Sequence, residues 1–295
     1  MSPRLGVVVN TRAGGRSPVT VDLVREAFAQ GTTEIAWVKG SEVRSAAERL
    51  LESRCEVLVA GGGDGTVSAV ARAAMGAGVP LGVLPLGTRN HFARDLGIPQ
   101  PLDQAAAVVA AGVTRAVDAA EAGGLLFLNN ASLGVYPRLI QLRERLRARG
   151  TGRWLAALWA TLAVLRRHPF LDLTLRTGDE EVRARTPFVL IANNPYRMSG
   201  LQPQSRERLD GGELAVYTYH AHRRLGLLRL GLSLVLLGID RVRELDVRMT
   251  RAVAVSTRRR DPRFALDGEL TSLQPPVSAR ILPRALTVLT PSGTN

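Results

Sequence analysis

The feature that most constrains this 295-residue chain is the run Gly61-Gly62-Gly63-Asp64-Gly65-Thr66, set between a strand-like stretch at residues 56–60 and a helical pattern starting near residue 67. Successive glycines let the backbone turn tightly and approach a ligand, and N–H groups at the start of the following helix attract anions. The run therefore predicts a strand–loop–helix that cradles a nucleotide phosphate. Asp64, a carboxylate in a loop shaped for anions, points to contact with magnesium or to orientation of the nucleotide. No Gly-x-x-x-x-Gly-Lys-Ser/Thr occurs, and no Gly-x-Gly-x-x-Gly opens the first helix, so ordinary P-loop and dehydrogenase readings are weak.

Around this loop, strand-like stretches at residues 5–9, 34–38, 56–60 and 81–84 alternate with helical patterns at 21–30, 43–52 and 67–75. That alternation predicts an open α/β parallel sheet with ligand-binding loops at the carboxyl ends of its strands. After about residue 119 the texture changes to short strands at 125–129, 171–175, 187–192, 213–219 and 253–257, as in an antiparallel sandwich or barrel. The length also favours two domains over one.

Composition narrows the functional classes. The chain is 45% apolar and 22% charged, with a mean hydropathy of +0.04, which reads as globular. Apolar segments at 154–165 and 225–239 fall short of the roughly 18 residues of a membrane span; they read as helices packed on the second domain or touching a membrane interface. A net charge of +13 predicts attraction to polyanions. Aromatics make up only 4% and do not interleave with the basic stretches, which argues against nucleic acid. Arginines cluster at Arg143, Arg145, Arg147 and Arg149 and at Arg258, Arg259 and Arg260. The lone cysteine, Cys55, excludes a disulfide framework and reads as a small core residue. His220 and His222 read as surface residues, and His168 before Pro169 as a helix end. The first residues carry no long apolar stretch of a secretory signal, so a cytoplasmic protein is expected.

A second run, Pro85-Leu86-Gly87-Thr88-Arg89-Asn90-His91-Phe92-Ala93-Arg94-Asp95-Leu96-Gly97, and a third, Asp267-Gly268-Glu269, follow in order. Alone, Asp267-Gly268-Glu269 reads as a hairpin turn. Together with the glycine loop, these motifs resemble the diacylglycerol kinase catalytic-domain family, which includes bacterial lipid kinases and is related to sphingosine kinases. The order and spacing match over almost the whole chain. The turn from Asn10 through Gly14 resembles the family's Asn-Pro-x-x-Gly phosphate loop, with Thr11 in place of proline.

The resemblance implies an ATP-dependent lipid kinase. Its fold would pair a nucleotide-binding α/β domain, residues 1–118 plus 284–295, with an antiparallel β-sandwich lipid-substrate domain, residues 119–283. ATP and lipid would meet in the cleft between the two. Asn10, Thr11, Arg12, Ala13, Gly14, Gly62, Gly63, Asp64, Gly65, Thr66, Val67, Ser68 and Thr88 would hold the nucleotide, and Glu269 would help to fix it. Asp267 would be the general base on a lipid hydroxyl. By their chemistry Arg16 or Arg94 could pair with phosphate oxygens, but an ordinary solvated arginine is the better reading for either. Mg²⁺ would accompany ATP, with Asp64 and Asp210 as candidate metal contacts, and the enzyme would touch an anionic membrane surface peripherally.

Two departures bear on a structural magnesium site found in some bacterial members. His91 stands where the family commonly has a second carboxylate, and a frequent Asp-Asp-Gly appears as Asp210-Gly211-Gly212, so only Asp118 and Asp210 remain for that site. Competing readings are a soluble-substrate kinase, since NAD kinases share the Gly-Gly-Asp-Gly-Thr loop, and a catalytically weak lipid-binding or regulatory protein on the same fold.

Overall fold

The computed structural model describes residues 3–12, 18–28, 33–134, 170–199, 202–206, 208–219, 245–258 and 262–292. The apolar segments 154–165 and 225–239 lie outside those residues, as do Ala13, Gly14, Arg16, His168, His220, His222 and the arginines of both clusters except Arg258. The chain divides into two compact units, residues 1–119 with 282–295, and residues 120–281.

The first unit opens with β1 (Leu5–Asn10), α1 (Pro18–Ala27), β2 (Thr33–Val38), α2 (Val43–Glu52), β3 (Val57–Gly62), α3 (Asp64–Ala77) and β4 (Leu81–Pro85). The short α4 (His91–Asp95), α5 (Leu102–Ala111) and β5 (Thr114–Ala122) follow. Its strands pair in parallel in the order β2-β1-β3-β4, with Val7 opposite Ile35 on one side and Val59 on the other. β3 and β4 are buried along their whole lengths, as strands covered on both faces must be. In α2 the buried residues Val43, Ala46, Ala47 and Leu50 form one helical stripe, which packs against β1 and α3. α5 packs against β4 and α1. Cys55 sits partly buried beside the Cα of Gly6, and burial pushes its thiol pKa up.

Two boundaries differ from the sequence expectation in a way that shapes the site. β3 runs on through Gly61 and Gly62, and α3 begins at Asp64, three residues earlier than its apolar pattern suggests. The six-residue loop thus shrinks to Gly63 alone. Glycines can extend a strand, and an acidic residue in the first turn suits the positive end of the helix dipole.

The second unit contains β6 (Leu125–Phe127), β7 (Asn130–Gly134), β8 (Leu171–Thr177), β9 (Glu180–Thr186), β10 (Phe188–Asn193), β11 (Tyr196–Ser199) and β12 (Gln202–Arg206). After these come β13 (Leu214–Tyr219), β14 (Leu245–Thr250), β15 (Ala252–Thr257), β16 (Arg263–Leu266), β17 (Glu269–Ser272) and β18 (Val277–Leu289). One antiparallel sheet has the order β14-β13-β10-β7-β16-β17; facing it across the core are β9, β8, β15 and the part of β18 up to Ile281. Leu133, Ile191 and Phe264 from the first sheet meet Leu173, Val255 and Val277 from the second. Alternate residues of β8, such as Asp172 and Arg176, are exposed, which is the period-2 pattern of a sandwich strand. From Leu282 onward β18 belongs to the first unit, where Val288 pairs in parallel with Leu81 of β4.

Candidate active site

In the first unit, three loops at the carboxyl ends of β1, β3 and β4 carry the predicted nucleotide residues. Gly62 has no room for a side chain, since a Cβ there would lie 2.5 Å from the Cβ of Thr66. A Cβ on Gly87 would lie 2.3 Å from the Cα of Gly63, so the loops after β3 and β4 touch backbone to backbone. Asn90 fixes the second loop. It adopts φ +51, accepts the Gly87 N–H at its Oδ1 (2.9 Å), and donates from Nδ2 to Pro85 O (3.0 Å), Gly87 O (2.9 Å) and Gln100 Oε1 (3.1 Å). Thr88 and Arg89, between these anchors, are exposed, as is His91 at the start of α4.

The start of α3 has no side-chain cap, and its first backbone-bonded amide is that of Val67, which donates to Gly63 O (3.0 Å). The N–H groups of the first turn therefore have no partner within the helix, and glycines lie beside them, a chemistry that suits a phosphate. Asp64 Oδ1 accepts the Phe92 N–H (3.1 Å), so this carboxylate ties the glycine loop to α4. Asn10 joins the third loop to the same place: its Nδ2 donates to Thr66 Oγ1 (3.0 Å), and its Oδ1 accepts the Arg12 N–H (3.0 Å). Thr11 uses its N–H (2.9 Å) and its hydroxyl (3.2 Å) to donate to Val38 O, the first of which proline could not do.

In the second unit, Asp267 and Gly268 form the two-residue turn of the β16–β17 hairpin, with φ of +49 and +88. Both positive values match the turn type favoured by Asp-Gly. The Asp267 carboxylate is clasped by backbone: Oδ2 accepts the Leu128 N–H (2.8 Å), and Oδ1 accepts those of Asn129 (2.7 Å) and Asn130 (3.0 Å). Its own N–H donates to Asn130 O (2.9 Å). The carboxyl pKa of Glu269, two residues on, is raised, first by loss of surrounding water and second by the charge of Asp267, although the residue as a whole is solvent-accessible.

Buried polar side chains hold the 128–130 segment from behind. Arg206, only 5% exposed, donates to Leu128 O (2.6 Å), Asn193 O (3.0 Å) and Asn129 Oδ1 (3.2 Å). Asn193 Nδ2 donates to Leu128 O (2.9 Å), and Asn130 Nδ2 to the Tyr196 hydroxyl (3.0 Å). The sequence reading did not single out Arg206, Asn193 or residues 128–130. Backbone N–H donors leave no residue signature; the pair Asn129-Asn130 after a short strand was the one available hint of a turn.

The residues considered for metal have other work. Asp118 is buried, and its Oδ1 accepts the Arg284 N–H (2.8 Å), where β18 kinks at φ +51. Asp210 pairs with Arg208 (3.3 Å). A Cβ on Gly211 would lie 2.5 Å from Asn194 Oδ1, so a side chain there requires Asn194 to shift. Among the described residues no three His, Cys, Asp or Glu side chains gather in a way that could hold a metal.

A separate groove of about 610 Å³ lies on the outer face of β8, β9 and β15, lined by Asp172, Thr174, Arg183, Arg185, Ser256 and Arg258 among others. It shares no residue with the glycine loops or the Asp267 hairpin.

This combination of a glycine-loop α/β unit and a sandwich with a clasped Asp-Gly-Glu turn defines a kinase-type architecture. Residues 4–122 match the diacylglycerol kinase catalytic domain, and residues 132–290 match the YegS C-terminal NAD kinase beta sandwich-like domain. The chain belongs to this diacylglycerol kinase-like, YegS-type family. It is 34% identical over 150 residues to "Probable lipid kinase YegS-like" of Citrobacter koseri, covering 48% of this chain and 50% of that protein. It is 41% identical over 133 residues to the protein of the same name in Pseudomonas aeruginosa, covering 43% of each. The chain spans about half the length of these curated relatives. A crystal structure of a diacylglycerol kinase from Bacillus anthracis superposes with a TM-score of 0.70 at 18% identity, covering 99% of this chain and 98% of the other. At that identity the likeness shows the fold.

Proposed function

We propose that this protein is an ATP-dependent lipid kinase that transfers the γ-phosphoryl group of Mg-ATP to a hydroxyl of a diacylglycerol-like membrane lipid. The observation that carries the reading is the uncapped start of α3 beside Gly62 and Gly87, where a side chain would collide with Thr66 of α3 and with the backbone of Gly63 respectively. Amides at a helix start have no partner within the helix, and glycines beside them let phosphates approach the backbone; phosphoryl transfer needs mainly such positioning and charge neutralisation. Asn10 and Asp64 organise the cradle by tying the loops after β1 and β4 to it. Bound Mg²⁺ would supply charge neutralisation between the phosphates. Asp267 is the proposed general base: its carboxylate, fixed by three N–H donors, is oriented before a lipid hydroxyl arrives. Glu269 helps to fix the nucleotide, and the basic surface of the +13 chain draws it to anionic lipid.

The test is transfer of label from γ-labelled Mg-ATP into a mixed lipid extract by the native protein and by Asp267→Asn. Label in one lipid class that falls steeply, to a small residual rate, in the variant is expected. Binding of ATP with no label in any lipid would instead favour a lipid-binding or regulatory protein on this fold. One observation lends weight to that second reading: Gly211 stands where the family often has a carboxylate, and a Cβ there would lie 2.5 Å from Asn194 Oδ1.

A further inference from the structure

The geometry points to Arg206 as a positioning residue for Asp267, acting through the peptide between Leu128 and Asn129; this rests on the role proposed for Asp267. That peptide faces two ways. Its carbonyl oxygen accepts from Arg206 Nη1 (2.6 Å) and Asn193 Nδ2 (2.9 Å), while its N–H donates to Asp267 Oδ1 (2.7 Å). Donors loaded on a carbonyl polarise the amide and strengthen the bond its N–H makes. The N–H opposite Arg206 indeed makes the shortest of the three bonds to Asp267, against 2.8 Å from Leu128 and 3.0 Å from Asn130.

Arg206 also locks the direction of that peptide. Its second nitrogen, Nη2, holds Asn129 Oδ1 (3.2 Å), and Nη1 reaches Asn193 O (3.0 Å) at the end of β10. The rigid guanidinium fork thereby joins β10 and β12 to the turn that carries the clasp. A buried guanidinium is costly unless its donors are used, so a side chain of matching length without the fork would leave these acceptors loose. The residue sits on the short β11–β12 ribbon, which contributes nothing to either sandwich sheet. Its link to the hairpin therefore runs through its side chain rather than through a shared strand ladder.

The experiment compares the full chain with Arg206→Met, Arg206→Lys, Asp267→Asn and the Arg206→Met/Asp267→Asn pair. Lipid phosphorylation is followed in each as separate kcat and KM values for Mg-ATP. Misplacement of a catalytic group by about 1 Å costs up to roughly 100-fold, so kcat of Arg206→Met should fall about 10- to 100-fold with KM unchanged. Arg206→Lys, which keeps charge but loses the fork, should recover part of that loss. In the Asp267→Asn background the Arg206 change should add nothing, because both act through one carboxylate. An equal further loss in that background, or a loss confined to KM, would overturn the inference. Hydrogen exchange at the Asn129 and Asn130 amides gives a readout independent of turnover. Faster exchange in Arg206→Met, with the rest of the second unit protected as before, is expected even if no lipid accepts phosphate; unchanged exchange there would also overturn the inference. Label transfer that survives Asp267→Asn would remove the proposed base, and the exchange result would still decide whether Arg206 holds the clasp.

Discussion

Asp267 shows how one residue can satisfy two demands. Its positive φ makes the hairpin turn, and its carboxylate collects three backbone N–H groups from residues 128–130. The usual carboxylate-to-amide replacement is therefore not neutral here: an Asn side chain must present its NH₂ to at least one of those donors. Leaving a part-buried N–H unpaired should destabilise Asp267→Asn by about 1–3 kcal/mol. Urea unfolding checks this, and a variant as stable as the native chain would show that the clasp contributes nothing to folding. Glu269 gives a second prediction. Its raised pKa means that the folded protein favours the protonated carboxyl, so ionised Glu269 opposes folding. This penalty is present in full above the folded pKa and fades as pH falls toward the unfolded value of about 4.3. Glu269→Gln should therefore be more stable than the native chain at neutral pH, with the difference closing under acid conditions. Stability curves from pH 3 to 8 test the sign, and a difference that grew toward low pH would refute it.

At the scale of elements, close backbone approach governs what the loops tolerate. Gly87→Ala would place a methyl group 2.3 Å from Gly63 Cα and 2.7 Å from Asn90 Oδ1, and the nearer obstacle is backbone that cannot swing away. Overpacking of this kind costs about 1–3 kcal/mol, and the displaced loop should lose ATP affinity as well. Calorimetric titration with ATP, beside urea unfolding, separates the two effects. Much of this region was legible in the sequence because glycines, the Asn-containing turn and alternating strand patterns are local signals. The parallel sheet, several of the sandwich strands and the Asp-Gly hairpin follow from such patterns. The start of α3 did not, since the apolar period begins only at Val67 while the helix is set by Asp64. The link between Arg206 and the Asp267 clasp was also hidden: its side-chain bond to Leu128 O crosses 78 positions. An arginine in a polar stretch carries no sign in sequence that it will be buried. Thr11 was read as a departure from the family's proline, whereas its N–H and hydroxyl both serve Val38 O.

For the whole molecule the question is how a chain with no described helix long and apolar enough to cross a membrane would reach a lipid substrate. A net charge of +13 supplies attraction, and the second unit concentrates part of it. Arg183 and Arg185 on β9 and Arg258 after β15 line the outer groove with one carboxylate, Asp172, among them. Arg183 also contacts Glu181 (3.5 Å), and Arg185 lies over the Phe170 ring (5.6 Å), so neither guanidinium is held by a close, fully buried pair. Three guanidinium groups against two carboxylates, Asp172 in the groove and Glu181 beside Arg183, leave an excess of positive charge in a concave surface, to which phosphate-bearing headgroups are complementary. Each basic residue near an anionic bilayer contributes about 1 kcal/mol, so replacing all three by glutamine should weaken association with phosphatidylglycerol-containing vesicles by roughly 100-fold. The same attraction must fall as salt shortens the Debye length. Vesicle sedimentation at low and high ionic strength, for the native chain and the triple variant, tests both effects at once. Equal binding by the two proteins with a steep salt dependence would assign the attraction to other basic residues. Binding by both that is indifferent to salt would instead show that apolar contact, rather than charge, brings the protein to the vesicle.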